Sequence, residues 1–205
     1  MLIEINENNI DERLIEQVVN ELKKGSLIIF PTDSVYAIGC DLFNKKALEE
    51  LARFKDVKLK KANFSIICHD LSNLSKYVRS IDRSTYKLLN KSLPGPFTFI
   101  LNATNEVPKL FGSNKSEIGI RIPDNKILRL LVERLENPIA TTSLHNDEDE
   151  IQEYFTDPYS IYEKYDSQVK IIIDGGKGKL DASTIVDCTT SSPEIIRQGN
   201  GIVDI

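Results

Sequence analysis

No apolar run in this 205-residue chain approaches the roughly 18 residues that cross a bilayer, and Met1-Leu2-Ile3-Glu4 has no basic region ahead of an apolar one. Neither a membrane span nor a signal peptide is indicated, so a cytoplasmic protein with no membrane partner is expected. Cysteine is scarce: Cys40, Cys68 and Cys188 are too far apart, and odd in number, for a disulfide framework or a Cys-x-x-Cys metal site. Each lies in or beside an apolar run and reads as a buried thiol. The two histidines, His69 and His145, have no second histidine at ligand spacing, so no protein-held metal is expected. Positive charge is also short. A net charge of -5 argues against a broad nucleic-acid-gripping surface, because phosphate contacts need clustered Lys and Arg. A phosphate loop, a Gly-x-Gly-x-x-Gly turn opening a helix and a Gly-x-Ser-x-Gly elbow are all absent.

What is present is an ordinary globular composition, 40% hydrophobic and 28% charged, on a chain long enough to bury its own core. Strand-like and helix-like segments alternate without a linker or repeat, which predicts one α/β (α+β) domain over residues 1–205. Leu2 to Ile5 reads as a strand. Asn9 and Glu12 resemble a capping box ahead of the stripe Leu14, Ile15, Val18, Val19 and Leu22, which Gly25 ends. Ser26 to Phe30 is an apolar run that suits a strand covered on both faces. Asn44, Asp82, Asp124 and Asp157 are read as caps of later helices. Asn63 to Cys68, Phe97 to Leu101, Glu117 to Ile122, Pro138 to Ser143, Val169 to Asp174, Ala182 to Cys188 and Pro193 to Arg197 read as strands. Asp147 to Glu150 reads as an exposed loop, and Gly175-Gly176-Lys177-Gly178 as a hairpin turn.

The chemistry gathers at strand ends. Pro31 has no N–H for a neighbouring strand, so it releases Thr32, Asp33, Ser34 and Tyr36 from the ladder. Three hydroxyls and a carboxylate there can bind a polar ligand or simply close a Ser/Thr turn; spacing alone favours the turn. Thr32, Arg121, Ser143 and Ser183 offer hydroxyls or a guanidinium at four strand ends. Lys55 ends a helix, where a cation also suits the dipole, and Lys55, Lys58, Lys60 and Lys61 form either a local basic pocket or a solvated loop. The inventory of hydroxyls and isolated cations suits a nucleotide or phosphate ligand handled by positioning and charge, and leaves the reaction class open.

Six blocks in order carry a resemblance: Pro31-Thr32-Asp33-Ser34-Val35-Tyr36-Ala37-Ile38-Gly39, Pro94-Gly95-Pro96-Phe97-Thr98, Gly119-Ile120-Arg121-Ile122-Pro123, Thr142-Ser143, Ala182-Ser183-Thr184-Ile185-Val186-Asp187 and Arg197-Gln198-Gly199. Together they resemble the YrdC-like threonylcarbamoyl-AMP synthase family over nearly the whole chain. That resemblance implies a twisted mixed sheet with flanking helices around a concave, positively charged cavity. It further implies joining of L-threonine, bicarbonate and ATP, with magnesium expected alongside ATP as a substrate, into threonylcarbamoyl-adenylate for tRNA modification. Carried over by position, Thr32 and Ser183 would hold threonine, with Ser34 and Tyr36 on the same wall. Arg121 and Ser143 would meet the nucleotide phosphate, Lys55 the ATP phosphates, and Arg197 would line the pocket; Lys55 and Arg121 would be the catalytic cations.

Two positions depart from the synthase pattern. Lys55-Asp56-Val57 stands where the family shows Lys-x-Arg, and Ser143-Leu144-His145 where it shows Ser-x-Asn. Together with Asn63-Phe64-Ser65 and Thr142-Ser143-Leu144, these departures resemble the YciO-like branch. Two expectations follow: an enzyme of threonylcarbamoyl-nucleotide chemistry, or a nucleotide- or RNA-binding paralogue that keeps the cavity without efficient synthesis. The net charge gives tRNA or other RNA no support as a partner.

Overall fold

Gly25 ends the first helix in the left-handed region, at φ 94°, and the chain turns directly into the run that becomes the middle of the sheet. In the computed structural model of the chain, which describes residues 1–144 and 154–204, the elements follow one another as β1 Leu2–Glu4, α1 Glu12–Lys24, β2 Ile28–Phe30, β3 Ala37–Asp41 and α2 Lys45–Phe54. Next come β4 Ser65–Ile67, α3 Arg83–Ser92, β5 Phe97–Asn102, α4 Glu106–Phe111, β6 Glu117–Arg121 and α5 Lys126–Leu135. The chain closes with β7 Ile139–Ser143, α6 Pro158–Tyr165, β8 Ile171–Asp174, β9 Thr184–Asp187 and β10 Glu194–Arg197. Among the described residues these strands form one ten-stranded mixed sheet in the order β1-β8-β2-β3-β7-β4-β6-β5-β9-β10.

β2 shows why that order holds. Successive strand side chains point to opposite faces, and Ile29 joins one apolar cluster while Ile28 and Phe30 join the other. All three are buried, as expected of a strand covered on both sides. On one face α1 brings Ile15, Val18, Val19 and Leu22 against Leu128 and Leu131 of α5 and Ile171 and Ile173 of β8. On the other, α2 adds Ala47, Leu48, Leu51 and Ala52 to a cluster that includes Ile38, Ile66 and Ile120. Each fully buried Ile or Leu contributes about 1.5–3 kcal/mol relative to exposure, so these two faces hold the sheet in place.

Several local readings are corrected. Asn9 does not cap α1: its amide closes a turn on Asn6 O at 3.0 Å, and Asp11 takes the cap, accepting from Arg13 N at 2.9 Å. Asp124 does not cap α5. Asn125 does, accepting from Leu128 N at 2.9 Å, while the Asp124 amide donates to the Asp33 carboxylate at 2.8 Å. Gly175–Gly178 is not a hairpin turn: β8 pairs with β1 and β2, whereas β9 pairs with β5 and β10. The segment crosses between distant parts of the sheet, and Gly178 N reaches Thr156 O at 2.7 Å. The strand expected over Ala182 to Cys188 is confined to β9, and the helix α4 went unread in the sequence. Asn44, Asp82 and Asp157 do cap their helices. The reading of Asp147 to Glu150 falls outside the described residues. Cys40, Cys68 and Cys188 are buried free thiols, and burial pushes Cys68 up to about 12 and Cys188 to about 11, so neither is a thiolate at neutral pH. Among the described residues no helix is long and apolar enough to cross a membrane.

Candidate functional site

Pro31 follows directly on β2, and the three residues after it fold into the hydroxyl turn that local spacing favours. Ser34 N donates to Thr32 Oγ1 at 3.0 Å, and that hydroxyl donates to Val35 O at 2.8 Å. The turn nevertheless does more than close itself. It aims Ser34 Oγ and the Asp33 carboxylate at Arg121, whose Nη2 donates to Ser34 Oγ at 3.0 Å and to Asp33 Oδ1 at 3.2 Å. Asp33 Oδ2 accepts from Asp124 N at 2.8 Å, and Asp33 O accepts from Asn200 Nδ2 at 3.2 Å. The Asp33 carboxylate thus ties the ends of β2 and β6 together, and its backbone carbonyl adds the segment after β10.

Arg121 lines a cavity of about 170 Å³ on the sheet, with Ser143 from β7, Ser183 ahead of β9 and Arg197 from β10. Asn63, Ser65, Thr98, Thr141 and Thr142 complete a wall dominated by hydroxyls and one amide. Thr98 and Ser183 share a hydrogen bond at 2.8 Å across neighbouring strands, and Arg197 Nη2 donates to Ser183 O at 2.8 Å. Gly119 lets β6 lie close against Ser65 of β4, since a Cβ there would sit 2.6 Å from Ser65 Oγ.

Electrostatics favour an anion at this wall. Burial lowers Arg121 from its ordinary value, and Asp33 opposes the shift; a guanidinium this basic stays cationic. Burial likewise raises the Asp33 carboxyl, against the pull of Arg121 and the Asp124 amide. With its cation at 3.2 Å, we take the pair as ionised. Arg197 adds a second positive charge, so the two cations exceed the one carboxylate. Arg121 Nε is buried and has no hydrogen-bond partner among the described residues. A donor fixed in this way, with its Nε–H still unused, is prepared for a carboxylate or phosphate oxygen.

Arg121, Ser143, Ser183 and Arg197 therefore lie on one cavity, and Ser34 and Thr32 stand behind them. Thr32 is not part of the lining, but its hydroxyl lies 3.1 Å from that of Ser34. Tyr36 is fully buried, and its hydroxyl donates to Gly176 O at 2.7 Å and accepts from Gly175 N at 3.2 Å, pinning the crossing segment. Lys55 is the C-terminal cap of α2 and lies outside the described lining. Val57 is exposed, and His145 falls outside the described residues. Thr98 was not singled out in the sequence as a site residue, and Asp33 only as the carboxylate of the hydroxyl turn, since their partners are 85 and 88 residues away.

The Sua5/YciO/YrdC family model, described as "Telomere recombination", matches residues 20–199. The crystal structure of Escherichia coli YciO superposes with a TM-score of 0.87 at 37% identity, covering 98% of this chain and 97% of that one. A threonylcarbamoyl-AMP synthase of Pyrococcus abyssi is 27% identical over 193 residues, which is 93% of this chain and 55% of the synthase. A crystal structure of P. abyssi Sua5 complexed with L-threonine matches with a TM-score of 0.87 at 25% identity, covering 97% of this chain and 57% of that one.

Proposed function

Because this chain belongs to the Sua5/YciO/YrdC family, we propose that its cavity holds a threonine or threonylcarbamoyl group beside the phosphate of an adenine nucleotide. The carrying observation is Arg121, buried, braced by Asp33 and Ser34, with an unused Nε–H beside a hydroxyl wall. The likeness to a relative solved with L-threonine supports the same reading. In this reading Ser183, backed by Thr98, meets the amino-acid moiety, with Thr32 and Ser34 bracing that wall. Ser143 and Arg121 meet the nucleotide phosphate, Arg197 closes the far side, and Lys55 serves the outer phosphates.

The reaction would join the carbamate formed from threonine and bicarbonate to the α-phosphorus of ATP. A carbamate oxygen bonds to phosphorus, the bond to the bridging oxygen breaks, and pyrophosphate leaves. Arg121 and Lys55 act by charge, holding oxygens whose negative charge grows in the transition state. Magnesium would enter with ATP, as no group of three or more His, Cys, Asp or Glu that could hold a metal occurs among the described residues. The product would feed tRNA threonylcarbamoyl-adenosine synthesis.

A second reading is favoured by Val57. A valine at the position of the family's Lys-x-Arg arginine supplies no charge to the triphosphate, which suits a nucleotide- or RNA-binding paralogue without efficient synthesis. Incubation with ATP, L-threonine, bicarbonate and magnesium, read by pyrophosphate release, separates the two. Release that depends on threonine and falls at least about tenfold in Arg121→Gln supports synthesis. Nucleotide binding without pyrophosphate supports the second reading. In that case Val57→Arg should raise pyrophosphate release if the missing charge is the cause.

A further inference from the structure

A second cavity, of about 250 Å³, opens between α3, α5 and the loop after β4, and shares no lining residue with the first among those described. Its polar lining is Arg129, His69, Asp70, Tyr86 and Asn90; Leu71, Leu93, Pro94 and Ile122 form its apolar wall. Ser65 at the start of β4 faces the first cavity, and His69, just beyond the end of that strand, faces the second. The two sites are therefore built on one strand and are separate.

Arg129 is the unusual member. Its Nε is buried without a partner, and no hydrogen bond or ion pair to its guanidinium is found among the described residues. The carboxylate one turn along α5, Glu133, turns to His69 instead, at 3.9 Å from Nε2. Asp70 is likewise taken, by Ser72 N at 2.8 Å, by the Ser72 hydroxyl and by His69 Nδ1 at 3.2 Å. A guanidinium whose Nε–H is withdrawn from water and unmatched by protein is left with an unmet demand for an acceptor.

We propose that this cavity binds a small monocarboxylate with an apolar body. The carboxylate takes Arg129 as a fork, and the body lies on Leu71, Leu93, Pro94 and Ile122. The rim decides the class. One unpaired cation stands with one carboxylate, Asp70, so the rim carries one charge of each sign and gives a phosphate dianion no net advantage over a monoanion. An apolar wall beside a single guanidinium also rewards a ligand that is half hydrocarbon, which inorganic phosphate is not.

The test is a titration of the 15N-labelled full chain with sodium 4-methylvalerate, followed by amide NMR, with 4-methylvaleramide and inorganic phosphate in parallel. Saturable shifts at Leu71, Ile122 and Arg129 are expected with the carboxylate, and none with the amide. Arg129→Gln should weaken binding at least about tenfold, as loss of a charged hydrogen-bond partner does. Asn90→Asp, at an exposed helix position, adds a like charge to the rim and should weaken it too, which keeps the test valid if the first variant folds poorly. The proposal is overturned by the absence of saturable shifts, by unchanged affinity in both variants, or by phosphate binding more tightly than 4-methylvalerate.

Discussion

Arg121 and Arg129 lie eight positions apart, each with a buried Nε lacking a partner, yet the protein treats them differently. Arg121 is gripped at Nη2 by Asp33 and Ser34, and Asp33 is itself held by the Asp124 amide. Arg129 rides on the second turn of α5, with no such brace among the described residues. The difference teaches what a braced cation is for. A fixed guanidinium loses little freedom when a ligand arrives and can be aimed at one atom, whereas an unbraced one must be ordered by what it binds. The first arrangement suits a reaction that needs position; the second suits binding alone.

The largest effect that would break this comparison is on stability. Arg121→Gln leaves Asp33 buried without its cation, and Asp33→Ala leaves Arg121 so; each should cost about 3–5 kcal/mol in urea unfolding. The double variant should cost much less than the sum, since neither charge is then stranded. Additive losses would mean that the two are not a pair. Next in size, Asn125→Ala removes the cap of the helix that carries Arg129 and should cost about 1 kcal/mol by the same measurement.

The two aspartates Asp33 and Asp82 should then respond to pH in opposite directions. Ser84 and Thr85 hold the Asp82 carboxyl down to about 2, so its contribution is present above the ordinary value of 3.8 and is lost as pH falls toward 2. Burial raises Asp33, so its folded form holds a proton more readily than the unfolded chain, and its contribution shrinks as pH rises above 3.8. Urea midpoints between about pH 5 and about pH 2 should show a shallower acid loss in Asp82→Asn than in the parent. A steeper loss would contradict the assignment. The smallest effect is that of Arg129→Gln, which should change stability by less than about 0.5 kcal/mol, because it breaks no pair.

How much of this could be read in advance depended on distance along the chain. β2, its termination at Pro31 and the caps Asn44, Asp82 and Asp157 are local patterns, and local patterns were legible. The hydroxyl turn was legible for the same reason, as both a turn and a ligand wall, and it is a turn that aims two of its groups at Arg121. Asn9 and Asp124 misled because another cap-competent residue, Asp11 or Asn125, lies one or two positions further on and spacing does not separate such neighbours. The glycine segment 175–178 misled because a hairpin and a long crossing have the same composition. The residues that brace the cavity, Asp33 on Arg121 and Thr98 on Ser183, carry no local signature; only the sheet order brings them together. Family resemblance placed Thr32, Ser34, Tyr36, Lys55, Arg121, Ser143, Ser183 and Arg197 in one set; Arg121, Ser143, Ser183 and Arg197 line one cavity, and the other four lie outside its lining.

The order of that sheet sets a timetable for a chain leaving the ribosome. Thr32 to Ser34 emerge early, but Arg121 lacks a seat until β6 reaches β4 and β5, and Ser183, Arg197 and Asn200 arrive only with the final strands. A chain stalled before Ser183 has most of the sheet and an incomplete cavity. Because closing such separated contacts is slow, the cavity of a newly made copy stays incomplete until residues 183–200 have joined the sheet.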